Sequence, residues 1–476
     1  MTDKYDLIVL GAGAGGLTIT AVAAQLGYRV ALLEGHKMGG DCLNYGCVPS
    51  KALLAAAKKV NTAWASRDLG LKVGGKAHMA AIHQHVHNTI RAIAPHDSQE
   101  RFEGLGAEVV REHGFFINRN TIGTESGRRL KGRRIVITTG SRPLVPPIKG
   151  LEGSGFYTNE TIFDLRKTPE HLLVAGGGPI GVEMAQAFAR LGSKVTLIEG
   201  GRQLLAAEDP DAAEAVEKNL AEQGVEVIKN HILSHVKKDD KNKYTLTLSK
   251  SGALKTVAGT DLLIALGRQP NLERLELENA GVELDGRFIK TDGHLRTSNK
   301  RVFAVGDVAG NYQFTHMAGY EAAHVIRRVL FGAFWQRVRY HAVPRVTYTE
   351  PEVATTGLTE KAAREKYGRK TRTTTVPFTD NDRARAEGKT EGFLKLNTVK
   401  GRPVGVTIYG PQAGELIGLW TLVLHKKLPL SAVSGMIHPY PTLNDISRLA
   451  VSTFYRPTFL SKKVRMLSRA MFRLFG

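Results

Sequence analysis

Tyr5-Asp6-Leu7-Ile8-Val9-Leu10-Gly11-Ala12-Gly13-Ala14-Gly15-Gly16 places an apolar run of strand character directly before a cluster of glycines. A helical stretch from Leu17 to Leu26 follows, and Val30-Ala31-Leu32-Leu33-Glu34 reads as a second buried strand ending in an acid. Strand, G-x-G-x-x-G (Gly11, Gly13, Gly16), helix and strand-end acid within about thirty residues make a dinucleotide-binding unit. The glycines permit the tight turn and the close approach of a pyrophosphate, whose charge the helix N-terminus stabilises. Glu34 is then expected to bind the adenosine ribose hydroxyls.

The pattern recurs. Leu172-Leu173-Val174-Ala175 leads into Gly176-Gly177-Gly178-Pro179-Ile180-Gly181, a helix, and Val195-Thr196-Leu197-Ile198-Glu199. Two complete units, with glycines at Gly176, Gly178 and Gly181 in the second, imply two dinucleotides. Glu199 accepts from a free ribose 2'-hydroxyl but repels a 2'-phosphate, so NADH fits better than NADPH; Arg202 close by softens that preference.

The rest of the composition sets bounds. The chain has 476 residues, 42% hydrophobic and 23% charged, values ordinary for a globular protein of roughly three domains. No run of about 18 apolar residues and no charged leader with a cleavage site is read, so the expectation is a cytoplasmic protein. The net charge of +21 favours acidic partners without naming one, and no nucleic-acid motif or interleaved aromatic stripe accompanies it, so no specific nucleic acid is expected.

Both cysteines lie in Gly39-Gly40-Asp41-Cys42-Leu43-Asn44-Tyr45-Gly46-Cys47-Val48-Pro49-Ser50-Lys51. Thiols this close, just after a nucleotide fingerprint, read as a redox couple; a structural zinc wants four protein ligands and no second pair exists. A helix starting near Val48 to Lys51 favours a thiolate at Cys47, and Lys51 falls one helical turn further on.

With these motifs, the chain resembles the class I pyridine nucleotide-disulfide oxidoreductases, the group of dihydrolipoamide dehydrogenase, glutathione reductase and mercuric reductase. The resemblance also rests on Thr138-Thr139-Gly140-Ser141-Arg142-Pro143, Ala265-Leu266-Gly267-Arg268, Val305-Gly306-Asp307-Val308 and Tyr348-Thr349-Glu350-Pro351-Glu352-Val353-Ala354. It implies an α/β chain of the glutathione reductase-like type, with two Rossmann-type dinucleotide-binding domains plus a C-terminal α+β dimerisation domain. The expected boundaries are 1–148 and 269–342 for FAD, 149–268 for NAD, 343–460 for the homodimer interface and 461–476 for a basic tail. It further implies that Asp307 bonds the ribityl chain of FAD, that backbone near Gly114 and Thr315 and the Gly267 segment touch the cofactors, and that Lys51 and Glu183 pair beside the flavin. Cys47 resembles the family's charge-transfer thiol, and Cys42 faces the substrate.

The departures bear on the substrate. Where the family carries a His-x-His-Pro-Thr-x-x-Glu type segment, this chain has His438-Pro439-Tyr440-Pro441-Thr442-Leu443-Asn444-Asp445, so Tyr440 stands for the catalytic histidine and Asp445 for the glutamate. A tyrosine with a pKa of about 10 is a poor base near neutrality, and His438 is a candidate replacement. Mercuric reductases also carry tyrosine there, but their C-terminal cysteine pair and N-terminal metal-binding module have no counterpart in this sequence. The expected activity is electron transfer from NADH through FAD and Cys42-Cys47 to a small-molecule acceptor: a disulfide, a thiol-reactive metal ion or another two-electron acceptor. Dihydrolipoamide dehydrogenase is the enzyme alternative, and a membrane-associated redox-sensing flavoprotein the alternative of another class.

Two further patterns complete the reading. His78, His83, His85, His87 and His96 cluster, with His83 and His87 at helical spacing, but only Asp97 is near enough in sequence to join them; a polar helix face, with no metal, is expected. From Arg456 to Gly476, Arg456, Lys462, Lys463, Arg465, Arg469 and Arg473 occur with no acid, while Leu460, Val464, Leu467, Met471 and Leu474 recur at steps of three or four. That is a basic amphipathic helix, docked on the body or peripheral at an anionic membrane's inner face.

Overall fold

The computed structural model describes residues 2–476. Two compact units emerge, one of Met1–Gly176, Ala187–Ile198 and His231–Val338, the other of Gly177–Gln186, Glu199–Asn230 and Arg339–Gly476.

In the first unit, the strand Thr2–Leu10 runs parallel to Val30–Leu33, with Leu7 opposite Val30, and to Arg129–Ile137, with Ile8 opposite Ile135. Glu108–Val110 and Val302–Ala304 extend the parallel part, and Thr121–Thr124 and Gly114–Asn118 add an antiparallel edge. Successive side chains point to opposite faces, and both faces are buried. Ile8, Leu10, Ala31, Leu33, Ile135 and Ile137 fill one core. Leu7, Val9, Val30, Leu32 and Val136 fill the other, under Ala23 of the helix Ala14–Gln25 and Val325 of the helix Thr315–Phe331. Each of these larger side chains contributes roughly 1.5–3 kcal/mol on burial. The near-continuous apolar run in the sequence is thus the mark of a doubly covered parallel strand.

The second fingerprint begins on the strand His171–Ala175, which pairs in parallel with Lys194–Ile198 and Asp261–Ile264. The helix Pro179–Arg190 follows its glycines. Ile232–Lys238, Tyr244–Lys250 and Ala253–Gly259 make a separate antiparallel sheet. Ser141–Pro143 and Arg268–Pro270 pair antiparallel, which brings two of the resemblance segments side by side.

The C-terminal part of the second unit is an antiparallel sheet of five strands in the order Pro344–Thr347, Glu352–Gly357, Arg402–Gly410, Phe393–Val399, Thr371–Pro377. Trp420 on the helix Ala413–His425 and Ile446 and Ala450 on the helix Asp445–Phe459 pack with Leu394, Leu396, Val406 and Ile408. The buried Trp420 indole donates to Ser447 Oγ at 3.1 Å, satisfying its one polar atom.

The tail departs from the single helix expected after Arg456. Arg456 lies in the last turn of the helix Asp445–Phe459, and a new helix, Lys462–Phe475, begins after Ser461. The break has a local cause: Ser461 Oγ accepts the Val464 amide, an N-cap that starts a helix at this point.

Candidate functional site

The first glycine turn has the shape a pyrophosphate needs. Gly11 adopts φ +105°, and a Cβ there meets Thr138 O at 2.5 Å; a Cβ on Gly16 meets Gly11 O at 2.0 Å. A Cβ on Gly13 instead points into open space, with no atom within 4 Å, at the uncapped N-terminus of the helix Ala14–Gln25. Two positions are thus closed by the fold, and the third leaves room for a phosphate beside free helix N–H groups. Glu34 accepts from the amides of Ala12 and His36, each at 2.7 Å. Gly11, Glu34, His36, His113, Gly114, Arg142 and Glu273 help to line a cavity of 420 Å³. Its place at the ends of the parallel strands, with the acid at its wall, fits the nucleoside end of a dinucleotide.

The cysteine segment is tied to that turn. The amide of Gly39 donates to Ala12 O at 3.0 Å, and Gly39 and Gly40 both have positive φ. A Cβ on Gly40 would lie 2.8 Å from Gly13 Cα, so a larger residue would push the segment off the turn. Cys42 sits in the short helix Gly40–Asn44, while Cys47 is the first residue of the helix Cys47–Ala65. Both are free thiols and both are partly buried.

Their acidities diverge. Cys47 is drawn from the ordinary 9.0 down to about 6, first by a hydrogen bond from Cys42, with Thr315 and the charge of Lys51 adding to it against burial. Thr315 Oγ1 lies 3.1 Å from Cys47 Sγ. Cys42 is pushed up, first by the same hydrogen bond to Cys47 and then by burial. Cys47 is therefore the more acidic of the two thiols, and the proton between them favours Cys42.

Around them lies a charged chain that the sequence did not disclose. Arg268 bonds Asp41 Oδ1 at 3.1 Å and donates to Ser141 Oγ at 2.7 Å; Ser141 Oγ in turn donates to Asp307 Oδ2 at 2.5 Å. Burial raises the Asp307 pKa, while the Ser141 bond and the Arg268 charge oppose the rise. Gly306 and the turn that presents Asp307 are held by buried Glu321, which accepts the Gly306 amide at 2.8 Å. Gly267 has φ +117°, and its carbonyl accepts from Leu144 at 2.9 Å, which sets the neighbouring Arg268.

The second fingerprint repeats the first. Gly176 has φ +116°, and a Cβ there meets Ala265 O at 2.2 Å, whereas a Cβ on Gly178 meets nothing within 4 Å. Gly181 lies on the helix Pro179–Arg190. Glu199 accepts from Gly177 at 2.7 Å and Gly201 at 2.5 Å, the same bonding that Glu34 shows. Glu183 is buried and accepts the Tyr348 amide at 2.9 Å.

The segment that departs from the family is built differently from an imidazole–carboxylate dyad. Tyr440 is exposed and donates to Asp382 Oδ2 at 3.1 Å, a bond that raises its pKa further. Asp445 is held by Arg448 through two contacts, at 2.6 and 2.9 Å. His438 Nε2 lies 2.9 Å from the Val433 carbonyl, which fixes Nε2 as the protonated nitrogen, and Nδ1 is buried.

The histidine pair requires a correction. Asp164, not Asp97, approaches His83 and His87: one ligand atom from each of the three lies within 4.8 Å of the others, and His87 Nε2 is 3.1 Å from Asp164 Oδ1. The contact joins segments far apart in sequence, which is why spacing missed it. The charge of Arg166 also acts on His83, lowering its pKa along with burial and His87, and it opposes a cation there.

Fold, twin nucleotide turns and an asymmetric dithiol are those of a dinucleotide-linked dithiol oxidoreductase. The chain belongs to the pyridine nucleotide-disulphide oxidoreductases: the family model matches residues 5–322, and the model of the family's dimerisation domain matches 343–451. It is 32% identical over 458 residues to a mercuric reductase of Lysinibacillus sphaericus, covering 95% of this chain and 83% of that one. It is 32% identical over 452 residues to a dihydrolipoyl dehydrogenase of Geobacillus stearothermophilus, covering 93% and 95%. Among solved structures it resembles the Cu(II) complex of the HOCl-induced flavoprotein disulfide reductase RclA from Escherichia coli, with TM-score 0.84, 29% identity and coverage of 95% and 99%. Membership brings FAD- and NAD(P)H-linked disulfide oxidoreductase chemistry and makes the chain an enzyme.

Proposed function

We propose that the enzyme passes electrons from NADH to an acceptor that meets Cys42 directly, and that a thiophilic metal ion is favoured over lipoamide. The observation that carries this reading is the bonding of Tyr440 to Asp382 and of Asp445 to Arg448, which leaves those two positions without the dyad that thiol exchange uses.

FAD, when bound, would supply the two-electron chemistry that links the nicotinamide to the Cys42-Cys47 disulfide. Gly11, Gly13, Gly16 and Glu34 hold its adenosine diphosphate part, with Gly114 at the cavity wall. Asp307, on the turn Gly306–Ala309, would bond the ribityl chain, and the backbone near Thr315, at the start of its helix, would touch the flavin nucleotide. Gly176, Gly178, Gly181 and Glu199 hold the nicotinamide dinucleotide, the acid favouring NADH over NADPH. Gly267 orients Arg268, while Lys51 and Glu183 carry the opposite charges that the hydride step needs. Within this reading the domain boundaries fall at residues 148, 268, 342 and 460, and the segment His438–Asp445 serves the partner subunit's site.

Cys47, the more acidic thiol, and Cys42, which favours the proton, form an unequal pair. A soft cation takes two thiolates as ligands and itself displaces the Cys42 proton, so it needs no separate base. A disulfide acceptor needs a proton delivered to its leaving thiolate, and the exposed, Asp382-bound Tyr440 is poorly suited to supply and recover one. The likeness to mercuric reductases and to a reductase solved with Cu(II) supports the same side. With Hg(II), NADH and the ion give NAD+, Hg(0) and a proton.

The dihydrolipoyl dehydrogenase reading keeps His438 as the base through Nδ1. NADH-driven turnover of Hg(II) and of lipoamide by the flavin-loaded enzyme separates the two. Hg(II) reduction that vanishes in Cys42→Ser supports the proposal; lipoamide turnover exceeding Hg(II) turnover refutes it.

A further inference from the structure

We infer that the helix Lys462–Phe475 is a docking device for an anionic lipid surface, a function beyond the redox chemistry proposed above. It lies past the end of the matched dimerisation domain at residue 451. Most of its side chains sort by angle, with Met466 and Phe472 falling on the cationic side and Lys463 at the edge of the apolar one. Val464, Leu467, Met471, Leu474 and Phe475 recur at helical steps along one side, and Lys462, Arg465, Arg469 and Arg473 along the other. No residue of the helix is buried: Leu467 is 62% exposed, Leu474 73% and Phe475 80%. Phe459 and Leu460, at the end of the preceding helix, are exposed as well and continue the apolar surface.

An apolar stripe of this kind needs a cover, and charge selects it. The six cations between Arg456 and Gly476 meet no acid in that stretch, and the whole chain carries +21. A second copy of the helix would bring another row of cations to the same place. An anionic bilayer accepts the apolar side among its acyl chains and pairs the cationic side with its headgroups. Nucleic acid would engage the cations but leave the apolar stripe in water. Fourteen residues make a helix about 21 Å long, too short for the roughly 30 Å hydrocarbon layer, so it lies in the interface plane. The capping of Ser461 separates it from the helix before, so it can take that plane as an element of its own.

The test uses the full flavin-loaded enzyme and sedimentation with vesicles of phosphatidylcholine alone or of phosphatidylcholine and phosphatidylglycerol in equal parts. Binding to the anionic vesicles only is expected. It should fall about thirtyfold at low salt in Arg465→Gln/Arg469→Gln, since each cation near the surface is worth roughly 1 kcal/mol. It should be lost in Leu467→Glu/Met471→Glu and in a chain ending at Leu460, with NADH oxidation unchanged in all three. Equal binding by the full and shortened chains overturns the inference, as does equal binding to the two vesicle types. A smaller assembly of the shortened chain in sedimentation velocity also overturns it, because the helix would then join copies of this chain. Retention of nucleic-acid binding by Leu467→Glu/Met471→Glu, with no vesicle binding by the parent enzyme, overturns it in favour of a polyanion site.

Discussion

Replacing Cys42 by alanine or by serine leaves Cys47 as the single thiol, so alkylation then reports one ionisation. The fall of Cys47 from 9.0 to about 6 corresponds to a thiolate preference on the order of 4 kcal/mol, at about 1.36 kcal/mol per pH decade. Its first cause is the donor at position 42, followed among the lowering influences by Thr315 and Lys51. A hydrogen bond to a charged group is worth roughly 1.5–3 kcal/mol, so losing it should raise the midpoint by about one to two pH units. Serine keeps a donor and alanine does not. The assay is the pH dependence of iodoacetamide reaction in the two flavin-loaded variants, followed by mass. Cys42→Ser should titrate near the parent value, and Cys42→Ala higher by that margin. Adding Thr315→Val to the alanine variant should raise the midpoint again, because its hydroxyl lies 3.1 Å from the sulfur. Coincident midpoints for the serine and alanine variants would falsify the assignment of the hydrogen bond as the main cause.

The glycine turn offers a paired comparison. Gly13→Ala should leave the melting temperature of the flavin-free protein unchanged while lowering the flavin-to-protein absorbance ratio, since its Cβ meets no protein atom; Gly16→Ala should cost roughly 1–3 kcal/mol in denaturant, its Cβ falling 2.0 Å from Gly11 O. Full flavin retention by Gly13→Ala would count against the phosphate position. Arg268→Met removes the cation shared by Asp41 and Asp307 and should destabilise the enzyme by roughly 3 kcal/mol at neutral pH. Asp307 is already raised, and an acid raised on folding destabilises only where it is ionised, so this deficit should shrink as pH falls through its raised value; a deficit independent of pH would refute the coupling. Tyr440→His should raise lipoamide turnover by about tenfold or more, and no change would show that the tyrosine does not limit exchange. Glu199→Ser should shift the kcat/KM ratio toward NADPH by roughly tenfold; an unmoved ratio would remove the charge argument.

What the sequence disclosed was local. The strand, glycine turn, helix and acid of each fingerprint lie within a short span, so spacing alone locates Gly11, Gly13, Gly16 and Glu34, and the structure closes two of those glycines against backbone. Cys47 and Lys51 were legible as one turn of a helix, and both lie on Cys47–Ala65. The chain Asp41, Arg268, Ser141, Asp307 was not, because its members come from segments that only the sheet and the Ser141–Pro143 with Arg268–Pro270 pairing bring together. A signal for it existed: Arg268 follows the buried strand Asp261–Ile264 inside a quoted motif, and a cation in such a place needs acids nearby. Glu321 could be suspected as an acid among the apolar positions of its helix, where it is in fact buried. Asp164 carried no such signal, since nothing in a short 3-10 turn announces two histidines on a distant helix.

The acids Glu34 and Glu199 each already clasp two amides of their own turn before any ribose arrives. A carboxylate has about four lone-pair sites, so a ribose hydroxyl can join this clasp without undoing it. A 2'-phosphate cannot: besides meeting like charge, it has to dislodge the carboxylate and so loosen the turn that grips the pyrophosphate. On the reading proposed above, discrimination against the phosphorylated cofactor would therefore be linked to the rigidity of the phosphate cradle. Substitutions that relax one should soften the other, and a variant engineered at Glu199 to accept NADPH should hold both nicotinamide dinucleotides more loosely until a replacement donor or acceptor closes the turn again.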